Sequence, residues 1–376
     1  MNISILSGLI FVAVFAGVVF IHEFGHFIVA RLLKVEVEEF GFGFPPRILT
    51  MFHWRGTDFT LNWLPLGGFV RPKGENDPNV PGGLAAASPW TRLAVLFAGP
   101  TMNLLLGVAV FSFLFFQMGV PDYTRVQIQD VLANSPGQQA GIQVNDIVLT
   151  ANGTAINDPT QLHDIIYANL DKPVLLTLHR GGQTVSVTVT PLSSRPQSEG
   201  AIGISMGPLM VQSGSVIESL QFGSLAVYEQ TRALILLPAQ MIRGQVSSQD
   251  SRFIGLKGIY DLFGQAVSRD VQSREPTTSS PSSFPAAPTS PQTPTYFTLQ
   301  LIGILTISLG VLNLFPFPAL DGGRIIFVLP ELVIRRRVPA SWENRINAVG
   351  MVILLAFMVY VNVMDFVNPA VVNLPK

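Results

Sequence analysis

His22, Glu23 and His26 form a His-Glu-x-x-His pattern within Ile21-His-Glu-Phe-Gly-His26. On a helix the two imidazoles stand one turn apart on one face, a spacing that holds a divalent metal, and the glutamate sits beside the metal where it can act on a bound water. The chemistry implied is hydrolysis of a peptide bond. The pattern is short and arises by chance in unrelated chains, so its surroundings matter more. Here it lies inside an apolar run from Ile3 to about Leu33. Ionisable groups at membrane depth are costly, and those retained there mark function. The alternative is a buried polar cluster that braces helices. The metal-site reading predicts cutting within or at the edge of a membrane.

A catalytic zinc site takes three protein ligands and leaves one position for water. The best candidate for the third ligand is Asp321, in Asn313-Leu-Phe-Pro-Phe-Pro-Ala-Leu-Asp-Gly-Gly-Arg324. Pro316 and Pro318 interrupt a helix and expose backbone groups, while Gly322 and Gly323 let chain approach chain closely. Asn313 can orient a substrate backbone or a metal-bound water. Taken alone, Asp321 reads equally as a helix-end cap facing the cytoplasm; the unfilled position beside His22 and His26 favours the ligand. A second polar break, Gly99-Pro100-Thr-Met-Asn103, falls in another apolar run. Asn103 in hydrocarbon needs a partner, and either lines the cavity or braces neighbouring helices. His163 and His179 have no partner motif and read as structural or surface residues.

These residues need elements that carry them in lipid. Of the 376 residues, 48% are hydrophobic and only 12% charged, with mean hydropathy +0.42; soluble domains carry about 25% charge. Four stretches are long enough to cross a bilayer: Ile3–Leu33, Leu93–Val120, Phe297–Phe315 and Ile346–Val363. The first lacks the positive lead of a signal peptide and contains Glu23, so it reads as retained. Cysteine is absent, which excludes disulfides and thiolate chemistry, and a net charge of −1 gives no support to nucleic-acid binding. Residues 31–92 carry seven Lys/Arg and residues 324–345 carry five, which places both short segments in the cytoplasm. Both termini and the long stretch 121–296 then lie outside.

The chain divides accordingly. Residues 1–120 form an N-terminal membrane core with the metal-motif helix and the second span. Between those spans, residues 35–70 hold aromatic, glycine-punctuated strand-like runs that fit a β-hairpin region near or dipping into the membrane, an ordinary interfacial loop being the alternative. Gly74–Ser88 reads as a turn-rich, mobile connector. Residues 121–192 pattern as a compact external α/β module, with a strand pair turning at Gly181-Gly182, and Ala201-Ile-Gly-Ile-Ser205 as one more short strand. In the connector 193–296, residues 215–243 pattern as an amphipathic helix on or in the membrane, and Pro276–Thr295 as a Ser/Pro/Thr-rich tether. Residues 297–376 complete the membrane core with the third ligand and fourth span.

In the reaction these residues imply, a bound zinc acidifies water and polarises the scissile carbonyl. Glu23 takes the water proton and returns it to the departing amine. The substrate must unwind to expose its backbone, and an edge strand from residues 35–70 can receive it by strand addition.

His22-Glu-Phe-Gly-His26, Gly99-Pro-Thr-Met-Asn103, the external module and Asn313 through Gly323, in that order, resemble the site-2 protease family of intramembrane zinc metalloproteases. They resemble its bacterial regulator-of-sigma-E protease branch more closely, over nearly the whole chain. The resemblance implies zinc held by His22, His26 and Asp321, catalysis by Glu23, a membrane-associated β-hairpin and a PDZ-type domain at 121–192. It also implies a multi-pass protein of the bacterial cytoplasmic membrane, with the PDZ-like domain outside and the active site toward the cytoplasm. Its substrates would be single-pass membrane proteins shortened by an upstream protease, anti-sigma factors among them, or signal-peptide remnants. The family's Gly-Pro-x-Gly-Ile stretch corresponds here to Gly255-Leu-Lys-Gly-Ile259, without the proline. Two other readings stand beside this one: a proteolytically inactive PDZ-bearing scaffold and a zinc transporter. The ligand types also admit cobalt or iron.

Overall fold

The N-terminal apolar run forms a single helix, α1 (Ile3–Leu32), about 45 Å long at 1.5 Å per residue. It stops where Lys34 takes a positive φ of 63° and the Val35 N–H reaches back to the Ala30 carbonyl at 2.8 Å, a Schellman-type end. The computed structural model describes residues 3–195, 199–245, 253–274 and 296–368. The Ser/Pro/Thr-rich tether expected at Pro276–Thr295 lies outside the described residues. By internal contacts the chain falls into two units, Met1–Leu114 with Leu220–Val372, and Phe115–Ser219.

In the first unit, α1 is followed by β1 (Val37–Trp54) and β2 (Thr57–Pro72), long antiparallel strands that fold back on themselves. Residues 37–42 of β1 pair with both 58–61 and 68–72 of β2, so Phe40 faces Phe59 on one side and Val70 on the other. Phe27 of α1 closes on Phe40 and Phe59, with ring centroids 5.3 and 5.7 Å away, which anchors the sheet to the helix. The turn-rich stretch after β2 is docked rather than mobile: Leu84 and Ala85 are 5% and 3% exposed. Helix α2 (Pro89–Met118) then begins with Ser88 capping the Thr91 N–H at 3.2 Å and a proline in its first turn.

The second unit holds β3 (Val120–Val131), a one-turn α3 (Pro136–Gln139), β4 (Ile147–Ala151), β5 (Thr154–Ala155), α4 (Pro159–Ala168), β6 (Val174–Arg180), β7 (Gln183–Val189) and β8 (Ile204–Val211). The sheet order is β7-β6-β4-β3-β8, with β5 paired to β4, and every pairing is antiparallel. Between β6 and β7, Gly181 and Gly182 both take positive φ (55° and 85°), as a two-residue turn between twisted strands requires. Val126, Ile128, Val148, Leu162, Leu176 and Leu178 are buried together as its core.

Back in the first unit come α5 (Val216–Ile242), α6 (Leu256–Gln272), α7 (Phe297–Asn313), α8 (Asp321–Ile334) and α9 (Ala340–Val367). Helices α1, α2 and α9 are long and apolar enough to cross a membrane, in a 28-, 30- and 28-residue stretch respectively. The third expected span is shorter than the sequence suggests. Helix α7 has 17 residues and ends at Asn313, because Pro316 and Pro318 cannot continue it. Small residues let these helices close up. A Cβ on Gly107 would meet Ile307, one on Gly303 would meet Phe111, and one on Gly310 would lie 3.0 Å from the Pro100 carbonyl. Val227 of α5 packs with Ile307 and Val311 of α7 against Leu104 and Val108 of α2.

Helix α6 accounts for Gly255-Leu-Lys-Gly-Ile259. The fully buried carboxylate of Asp365, on α9, accepts the N–H groups of Gly255 and Gly258 at 2.8 and 3.0 Å, and Asn362 accepts that of Lys257 at 3.1 Å. At its far end Asp270 accepts the N–H groups of Phe297 and Thr298, both at 2.9 Å, and so starts α7. Asp365→Ala strips acceptors from the start of α6, where each buried donor left unsatisfied costs about 1–3 kcal/mol. The variant is expected to melt several degrees lower and to exchange the Gly255 and Gly258 amides faster by hydrogen–deuterium exchange; unchanged exchange there contradicts the capping role.

Candidate metal centre

His22 and His26 stand one turn apart on α1, only 6% and 9% exposed, and Asp321 opens α8, which follows the proline-containing turn after α7. Their ligand atoms converge. His22 Nε2 lies 3.1 Å from His26 Nε2, and Asp321 Oδ2 lies 3.1 Å from the first and 3.3 Å from the second. A tetrahedral ion with bonds of ~2.0–2.1 Å separates its ligands by ~3.3 Å. Three donors at these separations therefore fit one face of such a site, and the set of two imidazoles and a carboxylate is one that zinc accepts.

The surrounding hydrogen bonds fix how each donor is presented. His26 Nδ1 donates to the Val95 carbonyl at 2.7 Å, which leaves its Nε2 lone pair for a metal. Asn103 is fully buried, with its amide nitrogen 3.3 Å from His22 Nδ1 and its oxygen enclosed without a hydrogen-bond partner. As placed, that amide would need the proton on Nε2, where a metal must bind. Turning the amide end for end lets its oxygen accept the Nδ1 proton and frees Nε2. Asn103 thus touches His22, and Thr306 of α7 bonds its main-chain carbonyl at 3.2 Å.

Glycines provide the room. A Cβ on Gly25 would stand 2.5 Å from the Ala98 carbonyl, and one on Gly99 would meet the Nε2 atoms of both histidines. On the Asp321 side, Cβ atoms on Gly322 and Gly323 would strike the carbonyls of Leu314, Phe315 and Phe317. Pro318 is backed by Gly350 of α9, and the Ala319 N–H bonds Asn347 at 3.3 Å. The broken helix after Asn313 is therefore clamped between α8 and α9. Pro316 lies on its exposed side, and Asn313 is half-buried at the end of α7, outside the hydrogen bonds that join the metal centre. Glu23, half-buried beside the histidines, accepts the Val70 N–H of β2 at 3.0 Å. The partners from Val70 and Val95 are main-chain groups, which leave no trace in residue type.

The model of peptidase family M50 matches residues 10–357. The chain belongs to peptidase family M50. It is accordingly a zinc-dependent metalloprotease of the site-2 protease type. A Clostridium perfringens relative carrying the provisional name zinc metalloprotease is 31% identical over 357 residues, covering 94% of this chain and 97% of its own. A Campylobacter jejuni protein with the same provisional name is 32% identical over 378 residues, covering 94% and 91%. The metalloprotease MmpA of Caulobacter vibrioides is 26% identical, with 92% of each chain covered.

Two substitutions test this geometry. Gly99→Ala puts a methyl among the ligand atoms and is expected to abolish zinc retention through purification. Asn103→Ala removes the group that orients His22 and is expected to weaken zinc by roughly 10–100-fold, measured by chelator competition. Full zinc affinity in either variant contradicts the arrangement.

Proposed function

We propose that this enzyme cuts within or near transmembrane segments of single-pass membrane proteins that an upstream protease has already shortened. Release of an anti-sigma factor is one such event, and clearance of signal-peptide remnants another. The observation that carries the reading is the convergence of His22, His26 and Asp321 beside Glu23 on a helix apolar enough to cross a membrane. Zinc bound there would polarise the scissile carbonyl and acidify the attacking water. His22, His26 and Asp321 hold it, and Asn103 orients His22. Glu23 takes the proton from the water and passes it to the departing amine nitrogen. Asn313 lines the cavity and steadies the substrate backbone.

The route of the substrate follows from the strands. Because the Val70 N–H goes to Glu23, it points away from its ladder partner Phe40, and residues 68–72 form an edge beside the general base. An unwound substrate segment can extend that edge by main-chain pairing. Phe44, Ile48, Leu49, Phe52, Trp54 and Trp63 are exposed on β1 and β2 and suit a membrane-associated β-hairpin. The second unit serves as a PDZ-like docking module. Among the described residues its β8 pairs with β3 alone, and the other edge of β8 is entered through Gly200-Ala-Ile-Gly203. With α7 as a short fourth span, the charge pattern supports a docking module outside the bacterial cytoplasmic membrane and an active site toward the cytoplasm.

Glu23→Gln keeps the ligands and removes the base. The purified variant is expected to hold as much zinc as the unmodified protein while losing all detectable cleavage of a tagged, pre-shortened single-pass substrate. Equal cutting by both proteins would remove Glu23 from the mechanism. Zinc retained by both with no cutting of a substrate panel would favour a scaffold.

A further inference from the structure

Asp321 is not the only charged group at the start of α8. Arg324 lies three residues further, one turn along the same face, and its guanidinium interacts electrostatically with the Asp321 carboxylate. Its ion-pair partner is nevertheless Glu75, from the segment between β2 and α2. Both side chains are part-buried, 31% and 27% exposed, on a small cavity whose other charged lining groups are Arg92, Arg337 and Glu343. Arg92 is committed to Glu331, and Arg337 donates to the Ala85 carbonyl at 2.6 Å. Among the described residues Glu343 joins no ion pair, although its carboxylate attracts the Arg324 guanidinium more weakly than Glu75 does.

A guanidinium one turn from a metal-binding carboxylate is a competitor for it. Arginine forks onto carboxylates through two parallel hydrogen bonds, and its charge repels a divalent cation at the same oxygen. We propose that Glu75 is a positioning residue that holds Arg324 off Asp321 and so reserves that carboxylate for the metal. The proposal rests on the reading of His22, His26 and Asp321 as a metal centre. It makes the cytoplasmic connector part of the control over metal loading, although the connector contributes no ligand.

A plain tether between α8 and the connector would have the opposite genetic signature. For a tether, loss of either partner loosens Asp321. For a holding role, loss of Glu75 releases the competitor, whereas loss of Arg324 removes it. The test is zinc affinity of the full-length protein in detergent, by chelator competition, with thermal melting of the metal-free protein followed in parallel. Glu75→Gln is expected to weaken zinc roughly two- to fivefold, the scale of a part-exposed ion pair. Arg324→Gln is expected to bind at least as tightly as the unmodified protein, and the double variant Glu75→Gln/Arg324→Gln to recover its affinity. Glu331→Gln breaks an ion pair further along the same helix and is expected to leave zinc affinity unchanged.

The proposal is overturned if Arg324→Gln weakens zinc as Glu75→Gln does, if the double variant is no better than Glu75→Gln, or if Glu75→Gln binds normally. Arg324→Gln alone separates the two roles even where Glu75→Gln folds poorly. An unmodified protein that takes up no zinc removes the metal-centre reading and this proposal together; the other contrary outcomes remove only the proposal.

Discussion

The meeting of one carboxylate with two imidazoles, across 299 residues between His22 and Asp321, is the contact on which the rest of the membrane-core unit depends. In an apolar bundle, polar groups cannot fall back on water, so each must be answered by another group of the protein or by a bound ion. Two imidazoles and the Asp321 carboxylate, all drawn from this chain, meet where a divalent cation would satisfy all three.

Bringing these groups together constrains the backbone more than the side chains. Gly25 and Gly99 let α1 and α2 approach until Asn103 and the Val95 carbonyl reach the histidines. Pro316 and Pro318 end α7 early, and the glycines that follow let α8 begin against the turn they leave. The interruption that shortens the third span is thus what delivers Asp321. Glu23 is braced from a different direction, by the Val70 N–H of a sheet anchored to α1 through edge-to-face phenylalanines. Glu23 shares α1 with His22 and His26, but its brace comes from β2, whereas those of the histidines come from Val95 and Asn103 on α2.

Much of the site could be read from residue type and spacing. His22, Glu23 and His26 follow helical periodicity, and an aspartate flanked by helix breakers and glycines was the natural third donor. Asn103 was legible as a polar group needing a partner, but which ligand it touches depends on the crossing of two helices. The connector after β2 looked mobile because turn residues fill it, yet Leu84 and Ala85 are buried and its charges pair with α8 across about 250 residues. The strand expected at 201–205 begins only at Ile204 and runs on to Val211 as β8, and its seat beside β3 is a long-range pairing with no local signal. The role of Gly255 and Gly258 was hidden for the same reason, since their partner Asp365 lies more than 100 residues away.

The most direct test of the account is the coordination shell of the metal in the purified protein, by X-ray absorption at the zinc edge. The account predicts one zinc per chain, bound by nitrogen and oxygen at ~2.0–2.1 Å with scattering from two imidazoles, and loss of that signal in Asp321→Ala. A shell with one imidazole or none, or an unaltered spectrum in Asp321→Ala, would contradict it.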